Sequence, residues 1–96
     1  MIHLISVGPD LTPKEVSKLA RKYAMTGGVE FGLNQELSAL DLENLAQLWM
    51  KELSELDLDL HRKKTSNAGR ILDLISESVL CPAELRFRIR GLLEKN

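Results

Sequence analysis

The chain has few of the residues from which metal sites, disulfide-rich domains and small enzymes are built. Its 96 residues include one cysteine, Cys81, and two histidines, His3 and His61, which stand far apart in sequence. A single cysteine forms no disulfide within the chain, and these three residues show no metal-ligand spacing. Gly27-Gly28 lacks the lysine and the hydroxyl residue of a phosphate-binding loop. We therefore expect a protein that is not an enzyme and that binds no metal or cofactor.

Long apolar runs are also missing. No segment approaches the run of about eighteen apolar residues that spans a membrane, and residues 1–7 lack the length and the basic flank of a signal peptide. Hydrophobic residues make up 44% of the chain and charged residues 28%, which is typical of a folded domain. The net charge of −1 gives no strong attraction to nucleic acid or anionic membranes. We predict one cytoplasmic domain over residues 1–96 with no membrane partner.

The sequence contains a clear start for a first helix. Thr12 can cap it, Pro13 suits the first helical position, and Glu15 can complete a capping box. We expect this helix to stop at Gly27-Gly28, and a short second helix to begin at about Asn34 and to end before Asp41.

The longest predicted helix has Asp41 as its N-cap and runs to about residue 60. Trp49 lies at the centre of its apolar stripe, so we expect this side chain to be buried. Residues 61–64 follow as cations at the C-terminal end of the helix, where the helix dipole favours positive charge. On a helical wheel the stripe spans about 100°, and it consists of Leu42, Leu45, Ala46, Trp49, Leu53, Leu56 and Leu60.

Two further helices complete the predicted fold. Residues 65–67 form a loop that caps the first of them, and Pro82 separates it from the second. The inner faces are predicted to be Ala68, Ile71, Leu72, Ile75 and Val79, followed by Leu85, Ile89, Leu92 and Leu93. Residues 2–7 could form a strand, but a lone strand would have no partner among five helices unless it paired across a dimer. We therefore favour a packed extended arm or a short helical turn for this segment.

The predicted fold class is therefore all-α, a single compact bundle of about five to six short helices with a short extended arm at the N-terminus. This size and layout are similar to those of death-fold and caspase-recruitment-type adaptor domains. They fit other small helical bundles equally well, including immunity proteins, antitoxins and secretion chaperones. The similarity concerns the layout alone, so it assigns no functional residues.

Charge is unevenly distributed along the chain. Residues 33–60 contain one lysine and seven acidic residues, a net charge of −6, whereas residues 61–96 contain eight basic and four acidic residues, a net charge of +4. These segments are either solvated faces or complementary docking surfaces for another protein or a second copy. Contacts of this kind predict weak, salt-sensitive self-association. The candidate partner-binding residues are Glu52, Glu55 and Asp59 on the acidic side and Arg62, Lys63 and Lys64 on the basic side.

The best single candidate for a binding surface is the segment Arg86-Phe87-Arg88-Ile89-Arg90. On a helix, Phe87 points about 160° away from Ile89 on the core face, with Arg86 and Arg90 on its own side. An aromatic residue flanked by arginines is a composition enriched in binding hot spots. We predict that Arg86, Phe87 and Arg90 contact a protein partner. The alternative is that Phe87 packs beneath the N-terminal arm.

Nucleic-acid binding is the alternative function. Residues 15–26 loosely resemble the first half of a helix-turn-helix, with the small Ala20 where the two helices would cross. Gly27, Gly28 and Glu30 stand where a recognition helix needs polar and basic side chains, so the motif is degenerate. We therefore favour a non-enzymatic protein-interaction module, with a nucleic-acid-binding regulator as the alternative.

Overall fold

Two strands and a set of helices make up the computed structural model of the protein, which describes residues 3–8, 10, 12–16, 18, 29–56 and 59–94. Strands β1 (His3–Val7) and β2 (Val29–Leu33) come first. Helices α1 (Ala39–Glu55), α2 (Leu60–Thr65), α3 (Asn67–Glu77) and α4 (Ala83–Glu94) follow. Residues 13–16 are also helical. The fold is mostly helical, and its radius of gyration of 12.7 Å is that of a compact domain of this length.

The predicted helical fold is confirmed in part, because the chain is mostly helical but the strand pair shows that it is not purely all-α. β1 and β2 run parallel, with Ile5 opposite Phe31 and Val7 opposite Leu33. Val7 is fully buried, and the other three side chains pack against the core. The N-terminal segment is therefore neither an unpaired arm nor a helical turn, because β2 supplies the partner strand. Parallel strands need a crossover of a dozen residues or more, which residues 8–28 provide.

Only the start of the predicted first helix can be compared with the structure. The amide of Glu15 donates a hydrogen bond to Oγ1 of Thr12 at 3.2 Å, as the predicted cap requires. The stop predicted at Gly27-Gly28 lies outside the described residues, as does most of the first half of the helix-turn-helix. The second helix of that motif would overlap β2, which is a strand.

Helix α1 begins earlier than predicted. Its N-cap is Ser38, whose Oγ accepts a hydrogen bond from the amide of Asp41 at 3.2 Å. Oδ2 of Asp41 accepts one in return from the amide of Ser38 at 3.1 Å, so Asp41 completes a capping box and is not itself the cap. The short helix predicted from Asn34 is a turn in which Oδ1 of Asn34 accepts a bond from the amide of Glu36 at 2.8 Å. Asparagine favours such turns over helix.

The long helix predicted to run to about residue 60 ends at Glu55, and a separate helix begins at Leu60. α1 ends at Glu55, and Leu56 is its extended C-cap. Asp59 then caps α2, with its Oδ1 accepting a hydrogen bond from the amide of Arg62 at 2.8 Å. The basic residues therefore belong to α2 and do not lie at the end of the long helix, as was predicted.

Helices α2 and α3 meet at a corner that requires glycine. Ser66 is the C-cap of α2 and the N-cap of α3, and its Oγ accepts a hydrogen bond from the amide of Gly69 at 3.2 Å, which confirms the predicted cap. The loop predicted over residues 65–67 is Ser66 alone, because Thr65 ends α2 and Asn67 begins α3. A Cβ at Gly69 would overlap the carbonyl oxygen of Lys63 and would lie 2.7 Å from that of Lys64. The close approach of the two helices thus depends on this glycine.

The core lies between α1, α3 and α4, and Trp49 is fully buried in it, as predicted. The predicted inner faces differ at two positions. Val79 is 96% exposed because α3 ends at Glu77, and Leu92 is 41% exposed. No helix within the described ranges is long and apolar enough to cross a membrane.

Candidate interaction surface

Helix α4 has a buried face and an exposed face. Leu85, Ile89 and Leu93 are buried, whereas Phe87 is 81% exposed. The exposure predicted for Phe87 is confirmed, and the alternative of packing beneath the N-terminal segment is wrong. A phenylalanine this exposed contributes little to the core, so its apolar ring is available for contact with another molecule.

Arg86 contacts its own chain. Its Nε donates a hydrogen bond to the carbonyl oxygen of Ser76 at 2.8 Å, and its Nη2 donates to the carbonyl oxygens of Ser78 and Cys81, each at 3.3 Å. These carbonyls lie at the end of α3 and in the loop to α4, where backbone acceptors lack intrahelical partners. The carbonyl of Ser78 also accepts a hydrogen bond from the amide of Cys81 at 3.1 Å. Arg86 therefore caps α3 from the neighbouring helix. Contact between Arg86 and a partner stays a prediction.

Arg90 also contacts α3. Its Nη1 lies 2.7 Å from Oδ1 of Asp73 and 3.8 Å from Oε1 of Glu94, and its Nη2 lies 3.9 Å from Oε1 of Glu77. The side chain of Arg90 is one-third exposed, so these pairs are partly screened by solvent. Its charge thus joins α4 to α3, and the positive charge predicted beside Phe87 is balanced by carboxylates.

A shallow groove runs along the exposed face of α4. It has a volume of about 310 Å³ and is lined by Phe87, Arg90, Gly91 and Glu94. A Cβ at Gly91 would meet nothing within 4 Å. The contacts described within the chain therefore do not require glycine here, although glycine in a helix costs about 1 kcal/mol relative to alanine.

Glu84 and Arg88 are the remaining charges on this exposed face. Both side chains are exposed, and neither forms an ion pair within the part of the chain that the structure describes. Arg88 lies within the predicted segment 86–90 but was not predicted to contact a partner, and Glu84 and Gly91 were not predicted as site residues. A glycine within an amphipathic helix, four residues after an outward aromatic, is the signal that could have indicated them.

The other candidate residues lie around the junction of α1 and α2. The acidic group is on the last turns of α1 and at the cap of α2, and the basic group is on α2 itself. Their part in binding stays a prediction. Most of these side chains are exposed, with Glu52 and Lys63 partly buried, and the group consists of Glu52, Glu55, Asp59, Arg62, Lys63 and Lys64.

Cys81 is a structural thiol. It is buried, and burial raises the pKa of its thiol above the ordinary value, with a weaker opposing effect from the charge of Arg86. A thiol kept in its neutral form is a poor nucleophile and a poor metal ligand. Among the residues the structure describes, no three His, Cys, Asp or Glu side chains are grouped as metal ligands.

A second groove lies between β2 and α3. It has a volume of about 290 Å³ and carries charges of both signs. The guanidinium carbon of Arg70 lies 5.4 Å from the centroid of the Phe31 ring, within the range of a cation–π contact. This contact ties α3 to the sheet, so Arg70 and Phe31 have a structural role at that groove.

Comparison with protein-family models, with curated proteins and with solved structures finds no match for this chain.

Proposed function

We propose that the protein is a non-enzymatic, cytoplasmic protein-interaction module that binds through the Phe87 face, defined as Glu84, Phe87, Arg88 and Gly91. The observation that carries this proposal is the 81% exposure of Phe87 on a helix whose opposite side is fixed in the core. A rigid helix loses little backbone entropy when it binds, so an exposed aromatic on it is well suited to anchor a partner.

The proposal places the chain with small interaction proteins such as adaptors, immunity proteins, antitoxins and secretion chaperones. We do not transfer a binding mode from death-fold domains, because this chain contains strands β1 and β2 and is not an all-helical bundle. A single buried cysteine is compatible with a reducing compartment, which supports the cytoplasmic location.

The proposal is tested by capture with the full chain. The immobilised wild type and the variants Phe87→Ala and Val79→Ala are incubated with an extract of the source cells, and bound proteins are identified. Val79 is a matched control because it is apolar, 96% exposed and not on the Phe87 face. We expect Phe87→Ala to lose the bound protein and Val79→Ala to keep it, with both melting near the wild type. Equal capture by the two variants would contradict the proposal.

The nucleic-acid alternative is tested by polarisation titrations with labelled duplex DNA at about 50 and about 200 mM salt. Phosphate contacts make affinity fall steeply over this range. We expect no binding at either salt concentration. Binding that falls steeply with salt, and that is lost when Arg62, Lys63 and Lys64 are replaced by glutamate, would favour the nucleic-acid-binding regulator.

A further inference from the structure

We infer that the Phe87 face binds a second copy of this chain, giving a weak antiparallel homodimer whose two-fold axis crosses α4 near Phe87 and Arg88. This inference rests on the proposed function and names its partner. It differs from self-association between the acidic segment 33–60 and the basic segment 61–96, because the contact lies on one helix and is the same in both copies.

Gly91 supplies the first argument. It is an exposed glycine within α4, and alanine there would stabilise the helix without any clash in the described structure. A glycine on a helix surface does permit another molecule to approach closely. In an antiparallel pair the ring of Phe87 leans toward the N-terminus of its own helix, which is toward Gly91 of the second copy. The aromatic ring of each copy then fills the groove of the other.

The charges on the same face supply the second argument. Glu84 and Arg88 are four residues apart, so they lie on one edge of α4. Both are exposed and unpaired in the described part of the chain. Antiparallel packing places Glu84 of one copy within reach of Arg88 of the other, and the two-fold axis repeats the pair. The face is thus complementary to itself, whereas Arg86 and Arg90 are already engaged with α3.

The size of the Phe87 face determines the expected affinity of the homodimer. One aromatic side chain and two symmetric ion pairs on a single helix form a small interface, of the class found in transient complexes. Exposed ion pairs also contribute little and are screened by salt. We expect a dissociation constant of the order of 100 µM, so monomer and dimer coexist at millimolar concentration.

Sedimentation equilibrium of the full chain measures this equilibrium. We expect a monomer–dimer equilibrium that Phe87→Ala weakens by about 30-fold or more, as for a hot-spot residue. The control Val79→Ala should leave the dissociation constant unchanged. A dimer that Phe87→Ala does not weaken would overturn the inference, because its interface would then lie elsewhere.

Charge reversal tests the antiparallel geometry. Glu84→Arg and Arg88→Glu should each weaken the dimer by about tenfold at about 20 mM salt, because each places like charges across the axis twice. The double variant should restore the wild-type dissociation constant, since the pairs re-form with opposite polarity. Failure of the double variant to restore the dimer, with its circular dichroism unchanged, would overturn the inference.

The same experiments separate this inference from the proposed function. If the chain stays monomeric at all concentrations while Phe87→Ala still loses a different captured protein, the homodimer is wrong and the proposed function stands. If the chain stays monomeric and Phe87→Ala captures what the wild type captures, both are wrong.

Discussion

Two arginines of α4, Arg86 and Arg88, stand two residues apart and have different environments. Arg86 donates three hydrogen bonds to backbone carbonyls at the end of α3 and in the loop that follows it, whereas Arg88 is exposed and forms no ion pair in the described structure. Arg90 lines the groove beside Phe87, but its guanidinium pairs with Asp73 on α3, whereas Phe87 is 81% exposed. Arg86 and Arg90 therefore stabilise the packing of α4 on α3, and Phe87 and Arg88 are available for binding.

The largest loss of stability is expected for a substitution in the buried core. Replacing Trp49 with alanine should cost about 3–5 kcal/mol, comparable to the whole stability of a small domain, because the side chain is fully buried. Phe87→Ala, the matched aromatic truncation on the exposed side, should cost less than about 0.5 kcal/mol. Urea unfolding of both variants measures the difference.

A second substitution at Trp49 tests the packing of its side chain. Its Nε1 has no hydrogen-bond partner within the described structure, so Trp49→Phe removes volume but no described hydrogen bond. We expect Trp49→Phe to be less destabilising than Trp49→Ala.

Fluorescence of the wild-type protein tests the burial of Trp49. We expect the native emission to be blue-shifted and protected from quenchers. Emission like that of indole in water would contradict the burial.

Alanine substitution of the two helical glycines, Gly69 and Gly91, should change stability in opposite directions. Gly69→Ala should cost about 2 kcal/mol or more, because its Cβ would overlap backbone oxygens of α2. Gly91→Ala has open space around its Cβ and should stabilise the chain by up to about 1 kcal/mol. Thermal melts at a concentration below that of dimer formation measure both changes. Similar effects of the two substitutions would contradict the assigned geometry.

A smaller effect tests the two arginines directly. Arg86→Ala should cost about 1–2 kcal/mol, because it removes the described donor from the carbonyl oxygens of Ser76 and Cys81, whereas the carbonyl of Ser78 keeps its hydrogen bond from the amide of Cys81. Arg88→Ala should change the free energy of unfolding by less than about 0.5 kcal/mol. Chemical unfolding of the pair is the measurement, and equal losses would show that the faces are not divided as described.

Local signals in the sequence predicted much of the helical structure. The cap at Thr12, the loop at Ser66, the break before Pro82 and the burial of Trp49 each depend on residues close in sequence or on helical periodicity. The break between α1 and α2 was missed because Leu56 and Leu60 keep the helical spacing across it.

Features that depend on distant residues were not predicted. β1 pairs with a five-residue strand that begins more than twenty residues later, and β2 contains Gly32, which weakens a strand signal. The exposure of Phe87 followed from the helix period alone. The contacts of Arg86 and Arg90 with α3 could not be predicted in this way, since they depend on where α3 ends and how it packs against α4.

Sedimentation equilibrium of Gly91→Gln is the most direct test of the claim that the exposed side of α4 is a binding surface. Glutamine is a better helix former than glycine and should stabilise the monomer, so it separates folding from association. We expect this variant to dimerise about tenfold more weakly than the wild type, because the side chain fills the groove that receives Phe87 of the second copy. An unchanged or stronger dimer in this variant would show that the exposed side of α4 is not the binding surface.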